Sequence, residues 1–151
     1  LQILTINDFH GRLAPLSAGP PAEGGAAQLS GLVKQLKAEN PNTVFVAAGD
    51  NIGASLFASS VAKDQPTIDV LNALGLQASA VGNHEFDRGF DDLSGRVSEA
   101  SDYPQLGANV YLKGTTTPAL PSEAWEAVRS SAVPSDGSPP GVRAPMRASP
   151  T

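Results

Sequence analysis

Cysteine is absent from the 151 residues, which removes at once a disulfide framework, a thiolate metal site and a cysteine nucleophile. Cysteine usage therefore says nothing about compartment. There is also no run of lysines or arginines. With a net charge of −5 and a pI near 4.8, the chain lacks the electrostatic footprint of a protein that binds nucleic-acid polymers or an anionic membrane surface. Any phosphate chemistry has to rest on metal ions or local dipoles. No apolar run approaches the roughly 20 residues needed to span a bilayer, and Leu1-Gln2-Ile3-Leu4 is not a charged n-region leading into an apolar h-region. No internal repeat is present. Because the first residue is a leucine already inside an apparent strand, the chain reads as a processed product or a piece of a longer one.

What is present fits one globular domain. The hydrophobic fraction is ordinary at 40%, and the 13 prolines and 15 glycines call for irregular stretches. Seven of those prolines follow Gly114. Residues 1–121 are accordingly expected to carry the fold, and residues 122–151, rich in Ser, Pro and Arg, to be an irregular or disordered tail.

Within the first part, short apolar runs alternate with helical patterns. Leu1 to Asn7 reads as a buried strand, and Leu13 to Gly25 as a loop. Leu29, Leu32, Val33 and Leu36 follow the i, i+3, i+4, i+7 spacing of a helix that Asn40-Pro41-Asn42 ends. Thr43 to Ala47 reads as a strand buried on both faces. Pro66 suits the first turn of a helix through Ile68, Val70, Leu71 and Leu74, closed by Gly75. Gln77 to Val81 is a third strand, Phe90 to Ala100 a third helix and Gln105 to Val110 a fourth strand. This βαβαβαβ order predicts an α/β fold with parallel strands, whose ligands bind beyond the carboxyl ends of the strands.

Polar residues gather at those ends. Asp8 and His10, two apart, leave the same face if the chain stays extended, and can meet one metal ion. Asp50, after Gly49, has two oxygens with which to bridge two cations, and Asn83 offers a neutral hard ligand beside the His84 imidazole. Taken singly, each has a plainer reading: a surface Asp and His, an Asx-turn or helix cap, a turn with a solvated imidazole. Three such groups in order, each closing a strand, favour a shared site. Asp87, three residues after His84, is placed either to accept a hydrogen bond from that ring or to begin a helix as a solvated carboxylate.

Asp8-Phe9-His10-Gly11, Gly49-Asp50-Asn51 and Gly82-Asn83-His84-Glu85 resemble the first three signature motifs of the calcineurin-like metallophosphoesterases. The longer strings Asn7 to Arg12, Gly82 to Gly89 and Leu106-Gly107-Ala108-Asn109 resemble its 5'-nucleotidase branch. The resemblance covers roughly Leu1 to Pro121 and implies the first half of an α/β sandwich of two sheets. It also implies hydrolysis of nucleotide phosphoesters: nucleoside monophosphates, cyclic nucleotides or nucleotide sugars. Two divalent ions (Mn, Zn, Fe or Co) are implied, with Asp8 and His10 on the first, Asp50 bridging and Asn83 on the second. His84 is then a non-ligand imidazole aimed at a phosphate oxygen or leaving group, and Asn109 is a position near the substrate. A periplasmic or cell-surface location follows from the same resemblance.

That family completes its site with three further histidines from two later motifs, whereas this chain has two histidines in all, His10 and His84. The alternative to an enzyme is therefore a truncated, non-catalytic fragment that binds metal weakly or not at all. Lacking the second sheet, one face of the first should stay uncovered, with marginal stability or aggregation as the expected result. The composition of Arg129 to Thr151 suggests a frameshift or erroneous gene end.

Overall fold

The computed structural model describes residues 1–15 and 24–122; all but the first residue of the tail expected over 122–151, and most of the Leu13 to Gly25 loop, fall outside the described residues. Strands β1 (Gln2–Ile6), β2 (Thr43–Ala47), β3 (Ala78–Ala80) and β4 (Gln105–Leu106) form one sheet in the order β1-β2-β3-β4, every pair parallel. Helix α1 (Gly25–Glu39) crosses from β1 to β2, and α2 (Phe57–Ser60) with α3 (Gln65–Ala73) crosses from β2 to β3. The last crossover is α4 (Phe90–Asp92), a π-helical turn (Leu93–Val97) and α5 (Ser98–Ala100). Four parallel strands with helical crossovers match the sequence expectation.

Since each crossover steps to the next strand in the same direction, crossovers of one hand all lie on one face of the sheet. The packing follows that rule. Leu4, Ile6, Phe45 and Ala47 point to the helical face, where Phe45 is fully buried against Val33, Leu71, Leu74 and Tyr103. A second cluster joins Ile52, Ile68, Leu93, Val97 and Leu120. The opposite face carries Ile3, 60% exposed, and the half-buried Val44 and Val46. The expectation that β2 is buried on both faces is corrected here: among the described residues nothing packs over its second face as the helices pack over its first.

Two local differences have simple causes. The fourth strand stops at Leu106 and does not reach Val110, because Val110 N–H donates to the Gly107 carbonyl (2.9 Å) and turns the chain. Residues 110–121 then double back, with Leu112 N–H on the Thr117 carbonyl (3.0 Å) and Ala119 N–H on the Val110 carbonyl (2.9 Å), which seats Leu120 in the core. Helix α2 has no periodic signal because it is a single turn.

Candidate metal centre

Parallel pairing puts the carboxyl ends of all four strands along one edge of the sheet, so Asp8 and His10, Asp50, Asn83 with His84, and Asn109 all follow strand ends on that edge. The first loop does not stay extended as expected from its spacing. Asp8 and His10 have φ of 52° and 45°, in the left-handed region, as has Asp50 at 53°. Such backbone costs on the order of 1–3 kcal/mol per residue and clusters at functional sites. Asp8 and His10 nonetheless meet, His10 Nε2 lying 3.7 Å from Asp8 Oδ1. Backbone bonds lace the first loop to the second: Asp8 N–H donates to the Gly49 carbonyl (3.1 Å) and His10 N–H to the Asp50 carbonyl (3.2 Å).

His10, Asp50 and His84 each offer a ligand atom, and these atoms lie within 4.8 Å of one another. The two rings meet edge to face with centroids 5.0 Å apart. Two imidazoles and a carboxylate suit a divalent transition metal, and Gly82 keeps the space that the carboxylate needs. A Cβ at residue 82 would sit 2.2 Å from Asp50 Oδ1. That oxygen accepts the His84 backbone N–H at 2.9 Å, which joins the second loop to the third.

Both ring orientations are set from the Nδ1 side. His10 Nδ1 is 2.8 Å from the Gly53 carbonyl and must donate to it, leaving Nε2 as the lone-pair nitrogen on the Asp8 side. His84 Nδ1 donates to Asp87 Oδ2 at 2.9 Å. Of the two readings of Asp87, the structure has the ring contact. That bond is the chief reason the His84 pKa is raised and the Asp87 pKa lowered. Asn83 is exposed, immediately before a 3₁₀ turn over His84–Phe86, and Asn109 is exposed in the turn after β4.

Sequence reasoning gave no role to Glu85, Gly53 or Asp64. Glu85 is 2% exposed, and its carboxylate accepts three backbone N–H groups: Asp50 (2.9 Å), Asn51 (2.8 Å) and Gly82 (2.7 Å). It ties the second and third strand-end loops together beneath Asp50. Its place in Gly82-Asn83-His84-Glu85 was visible, but a carboxylate facing backbone donors has no signal of its own in a sequence. Asp64, before Gln65 and Pro66, sits where a helix cap belongs, yet makes no capping bond with its side chain.

The family model for calcineurin-like phosphoesterases matches residues 1–129. Over 106 residues the chain is 45% identical to an uncharacterized protein in the pqq-V 5' region of Acinetobacter calcoaceticus, covering 62% of this chain and 52% of that protein. Over 121 residues it is 35% identical to the 5'-nucleotidase of Mus musculus, covering 76% and 21%. Among solved structures, the NAD nucleotidase of Haemophilus influenzae superposes with a TM-score of 0.64 at 25% identity, over 78% of this chain and 22% of that one. The chain thus spans about half the length of the first of these proteins and about a fifth of the other two. With sheet, strand-end residues and relatives in agreement, the chain belongs to the calcineurin-like phosphoesterase family, in its 5'-nucleotidase branch.

Proposed function

We propose that this chain supplies the strand-end ligands of a two-metal site that hydrolyses nucleotide phosphoesters. The observation that supports this most is the convergence of His10, Asp50 and His84 within 4.8 Å at the carboxyl edge of a parallel sheet. In this reading Asp8 and His10 hold a first divalent ion, Asn83 a second and Asp50 both, the ions being Mn, Zn, Fe or Co. Two such ions, when bound, activate a water and stabilise the charge of an in-line displacement at phosphorus. His84, kept oriented and rich in its protonated form by Asp87, donates to a phosphate oxygen or to the leaving group. Asn109 lies on the substrate side of the same edge. The substrate class is a nucleoside monophosphate, cyclic nucleotide or nucleotide sugar, and the location is outside the cytoplasm; no helix among the described residues is long and apolar enough to cross a membrane.

The mutual closeness of His10, Asp50 and His84 also favours a second reading, in which the three bind a single ion and the unit does no chemistry. Hydrolysis of 5'-AMP and bis(p-nitrophenyl) phosphate by the purified protein with Mn²⁺ or Zn²⁺ separates the two. The expected result is metal-dependent turnover that disappears in Asp50→Ala and His84→Ala. Calorimetric binding of one ion without turnover would replace the hydrolase reading with the second.

A further inference from the structure

The loop between β2 and α2 contains one peptide unit that bonds to His10 directly and to His84 through Asp87. The Gly53 carbonyl accepts from His10 Nδ1 (2.8 Å), and the N–H of the same peptide, on Ala54, donates to Asp87 Oδ2 (3.2 Å). That same oxygen accepts from His84 Nδ1 (2.9 Å). Hydrogen bonds therefore link one ring to the other through a single amide plane and Asp87 Oδ2, the oxygen on which the Ala54 and His84 donors converge.

Both residues of that plane take left-handed backbone, and a buried carboxylate holds the amide just before it. Gly53 has φ of 72°, and a Cβ there would lie 2.3 Å from the His84 carbonyl oxygen; Ala54, with a Cβ, still takes φ of 42°. Asp64 anchors the segment. Its carboxylate, on a residue 3% exposed, accepts the Gly53 N–H (3.2 Å) on Oδ2 and the Ser59 hydroxyl (2.9 Å) on Oδ1, and Ser59 in turn contacts Thr67 Oγ1 at 2.6 Å. Asp64 itself has φ of 63° and leaves the amino end of α3 uncapped by its side chain to make these bonds.

We propose that the Gly53–Ala54 peptide, steadied through the adjoining Ile52–Gly53 amide whose N–H Asp64 accepts, is a positioning element that fixes the ring orientation and tautomer of His10 and links it, by way of Asp87, to His84. Asp64 is a positioning residue: it reaches His10 only through Gly53. For His10 as a metal ligand the inference rests on the function proposed above, but the tautomer it predicts is a property of the metal-free protein.

The test is ¹⁵N and ¹³C NMR of the histidine rings in metal-free protein at alkaline pH, assigned with a His84→Gln variant, since the chain has two histidines. Native His10 is expected to carry its proton on Nδ1. Asp64→Asn, whose side chain tolerates the left-handed backbone but presents a single oxygen to two donors, should shift most of His10 to the Nε2–H form that an unpartnered imidazole favours. Mn²⁺ affinity should fall about 10- to 100-fold alongside. A native His10 already in the Nε2–H form, or an Asp64→Asn protein with a native amide spectrum and unchanged His10, overturns the proposal. If Asp64→Asn does not fold, Asp87→Ala decides instead: it removes the acceptor of the Ala54 N–H and should shift His10, to which Asp87 makes no hydrogen bond, toward the Nε2–H form, a tautomer change that loss of the Asp87 charge alone does not require; an unchanged tautomer overturns the proposal. Native protein that shows the tautomers but takes up no Mn²⁺ would sink the proposed function and leave the positioning element standing.

Discussion

His84 and Asp87 are paired in the open, so their bond is read best by titration. The chief cause of the raised His84 pKa is that bond, with desolvation opposing it, and the same bond is the chief cause of the lowered Asp87 pKa. A raised histidine pKa stabilises the fold in full below its ordinary value of 6.5, and the gain is lost as pH rises through the folded pKa. A lowered carboxylate pKa stabilises above its ordinary 3.8, and the gain is lost as pH falls through the folded pKa. The pair should hold fully between those two ordinary values. In metal-free protein an NMR titration should place the His84 midpoint above 6.5, and Asp87→Asn should bring it down toward that value. Glu85 is the opposite case, a buried carboxylate whose partners are all main-chain donors. Glu85→Gln keeps the shape but turns an amide N–H toward at least one of the three, which should cost about 2 to 3 kcal/mol in urea unfolding.

The four strands and the crossover helices other than the single-turn α2 were legible because each leaves a periodic or apolar run: Thr43–Ala47 is β2 residue for residue, and Pro66 does lie in the first turn of α3. The strand-end residues were legible because polar side chains interrupt apolar runs at fixed places in the order. What escaped was whatever depends on backbone shape. Asp8 and His10 meet through left-handed turns, not along a strand, and Glu85 and Asp64 act on N–H groups that carry no sequence mark. Gly82 lies between these cases, since the glycine is obvious and its reason is not. Its replacement by alanine puts a Cβ 2.2 Å from Asp50 Oδ1, so the carboxylate must leave its place while β3 and its neighbours stay. Gly82→Ala should retain a native circular dichroism spectrum and lose at least about tenfold in Mn²⁺ affinity by calorimetry.

Across the whole molecule the two faces of the sheet should answer mutation unequally. Phe45, fully buried on the helical face, should cost about 3–5 kcal/mol when cut to alanine. Ile3, 60% exposed on the other face of the edge strand β1, should cost less than about 1 kcal/mol as Ile3→Thr, and should reduce self-association in light scattering by breaking an apolar patch. The two urea midpoints, measured side by side, check the asymmetry. The strand order β1-β2-β3-β4 carries one more consequence. Because every strand pairs with the one made just before it, a chain emerging from the ribosome can lay down the sheet in the sequence of its own synthesis, waiting for no later segment to be inserted between strands already paired. Asp8 and His10 arrive first, Asp50 next, Asn83 and His84 last, so the edge that carries the candidate site is assembled residue by residue as translation proceeds.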